Sequence, residues 1–218
     1  MTSMNSSVRG TARLIGAGLR ALLALTVVCG VLYPLAVTGI AQAAFHDQAN
    51  GSEVTSGGRV VGSELIGQRF DLDTKDEDGN PLPDPRYFQP RPSAAGTNAY
   101  NTQYSITVSG ASNLAADSKV LRQTVIDRRK QVARFNDVAP SRVPVDALTA
   151  SGSGLDPDIS PAYAKLQVNR VAKANGLAGD EVARLVKKHT GGRQLGFLGE
   201  PRVNVLRLNI ALTRLTQR

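Results

Sequence analysis

The longest uninterrupted apolar stretch of the chain is ALLALTVVCGVLYPLAVTGIAQAAF, residues 21–45, which carries no charged residue. About 20 apolar residues are enough to span a bilayer core as a helix, so this run can cross with tilt to spare. Gly30, Pro34 and Gly39 are tolerated inside a membrane helix, and Pro34 predicts a kink. Arg9, Arg13 and Arg20 precede the span, while Asp47 and Glu53 follow it and the next basic residue is Arg59. The positive-inside bias therefore predicts a cytoplasmic basic N-terminus (residues 1–20), one transmembrane helix (21–45) and an extracytoplasmic domain (46–218). A cleaved signal peptide is the alternative, because Ala41-Gln42-Ala43 fits an A-x-A cleavage site. The run exceeds the roughly 7–15 residues of a signal h-region, which favours a retained anchor.

Beyond the span the pattern breaks into shorter pieces. Residues 46–62 are polar and glycine-rich and read as a loop leading to a short strand around Arg59–Val61. DLDTKDEDGNPLPDP, residues 71–85, holds six of the 18 acids and three prolines and reads as an exposed acidic loop. A second short strand is expected at Tyr104–Val108. Tyr87, Phe88, Tyr100 and Tyr104 gather in the same region, as a docking surface or as the edge of a core. Residues 115–135 place Val120, Leu121, Val125, Val132 and Phe135 on or near one helical face, with Asp117 as the expected cap. Ser160-Pro161 is a helix start, a serine cap followed by proline at the first position, and Gly176 is its stop. Val182, Leu185, Val186 and His189 recur at i, i+3, i+4 and i+7, predicting a helix from Gly179 or Asp180 to His189. For residues 203–215 periodicity admits a strand with Val203 and Val205 on one side, or a helix capped by Asn204; helix is preferred. The sum is an α+β chain: one transmembrane helix, then a single mixed domain with three to four helices and a few short strands.

Charge and chemistry narrow the function. The net charge is +8, but from Ser118 onward 18 Lys+Arg stand against 8 Asp+Glu, and before it 8 against 10. The basic residues are spread over several elements and are not interleaved with aromatics, which argues against nucleic acid. The one cysteine, Cys29, lies in the span, so no intrachain disulfide exists. In TASGSGLDPDISP, residues 149–161, Gly152-Ser153-Gly154 departs from the G-x-S-x-G nucleophile elbow. His46 and His189 are the only histidines, and His189 falls at a helix C-terminus, where its role is to complement the dipole. No G-x-x-x-x-G-K-[ST] occurs. The acidic loop fails the EF-hand template: Gly79 at position 6 puts Thr74 at position 1 and Pro85 at position 12. Two histidines, and one cysteine that lies in the span, leave little for a transition-metal site, and none is expected. Ser151 and Ser153 are expected to hydrogen-bond nearby backbone, with Gly152 and Gly154 permitting a tight turn.

TASGSGLDPDISP, QVNRVAKANGL and HTGGRQLGFLGEPRVNVLRLNIAL, preceded by GSELIGQRF, YFQPRPSAA and SGASNL in that order, resemble the C subunits of bacterial Kdp potassium-transporting ATPases. The resemblance covers residues 15–212. The acidic loop 71–85 looks like an insertion, and Ala115-Ala116 stand where the family tends to have Gly-Pro. It implies an accessory, non-catalytic subunit in the cell membrane. Its partners would be a channel-like potassium-binding subunit, a P-type ATPase subunit and a small single-span subunit. It further implies a role in assembly and in raising the pump subunit's affinity for ATP, with no cofactor tightly bound by this chain and ATP met through the complex. Gln167 and Arg170 are then the candidates for nucleotide contact, although the charge bias places them outside the cytoplasm; the plainer reading of both is a solvated helix face. Ser151, Gly152, Ser153, Gly154, Asp156, Ser160, His189, Gly199, Glu200 and Arg202 are the structural or interface candidates. A membrane-anchored or secreted binding protein without a transport role is the alternative.

Overall fold

The computed structural model describes residues 3–77, 79–93 and 109–217, with side chains from Gly10 onward. The chain divides into two compact units, Met1–Ser52 and Glu53–Arg218.

In the first unit α1 (Ser3–Val27) runs through a π turn (Val28–Leu32) into α2 (Tyr33–Ala44). The cause of the π turn is Pro34: proline cannot donate to the carbonyl four residues back, and its ring collides with it. The helix widens by one residue instead of breaking, and the Tyr33 amide donates to the Val28 carbonyl, five residues back. Residues 10–44 form one helix with a mean hydropathy of 2.2 over its most apolar window, long and apolar enough to cross a membrane. A short helix, α3 (His46–Ala49), follows and is closed by Asn50, whose side chain donates to the His46 carbonyl at 2.7 Å.

The second unit is an α+β domain. β1 (Glu53–Ser56) and β2 (Arg59–Ser63) pair antiparallel across Gly57-Gly58. Both glycines have positive φ, 59° and 75°, as a tight two-residue hairpin demands. The short strand expected around Arg59–Val61 is β2; the stretch before it, expected as a loop, instead holds α3 and β1, with the glycine pair as the turn between the strands. The acidic segment is likewise a hairpin, β3 (Asp71–Lys75) with β4 (Pro81–Pro83). Pro81 and Pro83 cannot donate ladder bonds, so they are confined to an edge, and this sheet has only two strands. Asp76 closes the turn, its Oδ1 accepting from the Asn80 amide at 2.7 Å. Acid-rich composition suggests a solvated loop, but Asp76 holds the turn while Asp71 and Asp84 pair with Arg69 and Arg86.

α4 (Lys119–Asn136) starts one residue later than expected, with Ser118 rather than Asp117 as the cap: its hydroxyl accepts from the Leu121 amide. α5 (Pro161–Asn175) is capped by Ser160, whose Oγ accepts from Tyr163 N at 3.0 Å, and stops at Gly176 with φ of 66°. α6 (Gly179–Lys188) puts Asp180 and Glu181 in its first turn and Lys187 and Lys188 in its last, which suits the helix dipole at both ends. Strand and helix both occur in the C-terminal segment: β7 (Arg202–Asn204) leads directly into α7 (Val205–Thr216), and Asn204 caps the helix by accepting from Arg207 N. β7 lies between β5 (Asp158–Ile159) and β6 (Thr190–Gly191) in a small antiparallel sheet. Strands of two or three residues carry too little periodicity to be read from sequence. Among the described residues the second unit thus has four longer helices and short strands. Its core gathers Phe88, Ile159, Val171, Val182, Val203, Leu208 and Leu212. The strand expected at Tyr104–Val108, with Tyr100 and Tyr104, lies outside the described residues.

Candidate functional site

The TASGSGLDPDISP segment folds on its own side chains. Ser151 is buried, and its Oγ accepts from Gly154 N at 2.8 Å; Ser153 Oγ accepts from Leu155 N at 3.1 Å. The two hydroxyls are 3.2 Å apart, and Gly154 takes φ of 73° to close the turn. Among the described residues no histidine meets Ser153. The turn then ties distant segments together. Ser151 N donates to the Pro92 carbonyl and Gly67 N to the Leu155 carbonyl, while the Ser153 carbonyl accepts from Gly110 N and from Ser109 Oγ. Asp156 accepts from Asp158 N and pairs with Arg91 at 2.8 Å. Gly152 is exposed at the tip. Ser160 is fixed from the other side, its amide and hydroxyl both donating to the Asp146 carboxylate at 2.8 and 2.9 Å.

Gln167 and Arg170 are one turn apart on α5 and touch: an Arg170 guanidinium N–H donates to Gln167 Oε1 at 2.7 Å. Neither lies on a solvated face, since Gln167 is 0% and Arg170 9% exposed. The polarity that suggested a wet surface is satisfied inside. Gln167 accepts from Gln89 N at 2.8 Å and donates to Gln89 O at 3.1 Å. Asn209 of α7 treats the preceding residue the same way, accepting from Phe88 N and donating to Phe88 O, both at 2.9 Å. Two side-chain amides thus act as a surrogate strand for the backbone of Phe88 and Gln89, which would otherwise bury unpaired donors and acceptors. Arg170 adds donations to Asn136 Oδ1 of α4 and to the Pro85 and Tyr87 carbonyls, and its guanidinium lies 4.3 Å from the Phe135 ring centre. Burial lowers the Arg170 pKa to about 10. Desolvation raises that of Tyr163, which is packed nearby in the core. Asp84, also buried, is pulled upward by desolvation but more strongly downward by the hydrogen bonds and charge of Arg86, so its carboxyl sits below the usual range.

The remaining candidates form separate local contacts. His189 caps α6, with Nδ1 2.9 Å from the Leu185 carbonyl; a carbonyl only accepts, so Nδ1 carries the proton in that bond. Arg202 pairs with Asp158 at 3.1 Å and Glu200 with Arg193 at 3.1 Å. Desolvation outweighs Arg202 and holds the Asp158 carboxyl above its ordinary pKa. Gly199 turns with φ of 74° at the end of a loop whose Leu195 and Phe197 are 83% and 70% exposed. The candidates therefore divide into a serine turn, a buried amide–guanidinium network and an exposed loop. Sequence reasoning missed Asp84, Gln89, Asn136 and Asn209. A usable signal existed for Asn209 alone, a polar residue within the apolar run of NVLRLNIAL.

The chain thus joins a membrane-span candidate to an α+β domain whose polar residues hold its own segments together. The chain matches the KdpC family, described as the c chain of K+-transporting ATPases, over residues 15–214, and it belongs to that family. It is 58% identical to the potassium-transporting ATPase KdpC subunit of Streptomyces avermitilis, across 97% of this chain and 98% of that one. The corresponding Streptomyces coelicolor protein is 56% identical, with 97% of each chain covered. That of Gemmatimonas aurantiaca is 49% identical over 88% of each. This membership makes the chain an accessory membrane subunit of a potassium-transporting ATPase, working with partner chains.

Proposed function

We propose that this chain is the non-catalytic scaffold of the complex, with its N-terminus in the cytoplasm and residues 46–218 outside. The observation that carries this reading is the use made of its polar side chains: Ser151, Ser153, Gln167 and Arg170 are engaged in holding backbone segments together. Its partners are a channel-like potassium-binding subunit, an ATP-hydrolysing P-type subunit and a small single-span subunit. The exposed tip of Leu195, Phe197 and Leu198, stiffened by the Gln194–Leu198 bridge and the Arg193–Glu200 ion pair, supports docking of this face on a partner, since apolar side chains exposed together rather than singly are the kind of surface that marks interfaces. Any rise in the pump subunit's ATP affinity passes through the assembled membrane helices as coupling between sites. Gln167 and Arg170 support it by keeping the domain folded rather than by touching nucleotide.

The test is mild-detergent purification of a C-terminally tagged chain from potassium-starved cells with its neighbouring genes intact. A co-purifying ATPase stimulated by potassium is the expected result, and Phe197→Asp should reduce its recovery without lowering the chain's own melting temperature. Recovery of the chain alone, or of a soluble form beginning at Ala44, would overturn the reading.

A further inference from the structure

Between the β3–β4 hairpin, the segment 89–93 and α4 lies a cavity of about 820 Å³, within the range of small-molecule sites. Four arginines line it, Arg69, Arg91, Arg128 and Arg134, with Asp76 as the acid among the described lining residues. Their commitments differ. Arg69 is held by Asp71 and the Pro81 carbonyl. Arg91 uses one terminal nitrogen on Asp156, while its Nε is buried with no partner among the described residues. Arg128 is half-buried, donates to the Leu148 carbonyl, and meets no carboxylate among the described residues. Desolvation accordingly lowers its pKa. Arg134 makes no ion pair among the described residues either.

A buried guanidinium N–H without an acceptor is costly, and a half-buried guanidinium facing one neutral carbonyl lacks its counter-charge. The Nε edge of arginine is the side that grips an oxyanion with two parallel bonds. Among these cations the lining is also apolar, with Leu82, Pro90, Val132 and Phe135. A small inorganic ion would leave that surface uncovered.

We propose that this cavity binds a phosphate ester, its oxyanion taken by Arg91 and Arg128 and its organic body lying on Leu82, Pro90 and Phe135. That chemistry is shared by a phospholipid headgroup and by a soluble phosphate ester, and the test separates them. The full chain in a neutral detergent is titrated with glycerol 1-phosphate and with monomeric dihexanoyl phosphatidylglycerol, with dihexanoyl glycerol as the uncharged control. Saturable binding of the phosphates and none of the control is expected. Arg91→Gln and Arg128→Gln should each weaken it about tenfold or more, as loss of a charge-assisted bond implies. Arg184→Gln, on the exposed face of α6, should not. Tighter binding of the lipid by tenfold would identify a headgroup site, and equal affinities a site for soluble esters. Because Arg91→Gln also breaks the Asp156 pair, the Arg91 Nε–H resonance of the unaltered chain is followed as well and should shift on titration. No binding of either phosphate at millimolar concentration, an unmoved Arg91 resonance, or unchanged affinity in both folded variants would overturn the proposal.

Discussion

At the scale of single residues the amide side chains of Gln167 and Asn209 matter more than the serines that first draw the eye. Each fills both backbone hydrogen-bonding positions of one buried residue. Asn209→Leu keeps volume but strands the Phe88 amide and carbonyl, for an expected loss of about 2–6 kcal/mol at one to three per unsatisfied group, measured by thermal unfolding in detergent. Ser153→Ala removes an exposed turn contact, and the same assay should change by less than about 1 kcal/mol. A comparable loss in the two variants would refute the distinction. Asp84 supplies a pH signature. Its pKa is depressed in the fold, so the stability it contributes is present above the ordinary carboxylate pKa and is lost as pH falls through the folded value. Asp84→Asn should therefore melt lower than the unaltered chain at neutral pH, with the gap closing in acid. A gap that widened on acidification would show that the sign is wrong.

At the scale of elements, what could be read in advance was what local chemistry decides. α5 begins and ends where Ser160, Pro161 and Gly176 require, because cap and stop are set by neighbours in sequence. Replacing the cap, Ser160→Ala, loses the bond to Tyr163 N and leaves Asp146 without its hydroxyl donor, which should cost about 1–2 kcal/mol; helix content by circular dichroism should stay within a turn of the original. The same logic located α6. It failed where pairing is long-range. β5 and β6 are two residues each and exist because β7 lies between them. The acidic hairpin forms because Arg69 grips both Asp71 and Pro81, two and twelve positions along the chain, a contact that composition cannot announce. Burial of Gln167 and Arg170 failed for the same reason: their partners lie 78 and up to 85 residues away. A polar face then looks wet until the segment that dries it is found.

At the scale of the whole molecule, orientation decides which functions are open to the chain. Three arginines before the span and two acids after it are what support the proposed cytoplasmic N-terminus, since basic loops near a span are retained in the cytoplasm. If so, the cavity arginines face the outer medium, and any influence on ATP must cross the membrane through helices. Cys29, the only thiol, lies within the anchor helix, which makes a reporter simple to build: Cys29→Ser combined with Lys187→Cys on the exposed side of α6. A membrane-impermeant maleimide added to intact cells should label this variant fully, with no further labelling after lysis. Labelling only after lysis would put the domain in the cytoplasm, restore direct nucleotide contact as a geometric option and remove the outer-leaflet headgroup as the source of the phosphate ester. The experiment therefore tests orientation, and with it which partners each face of the domain can reach.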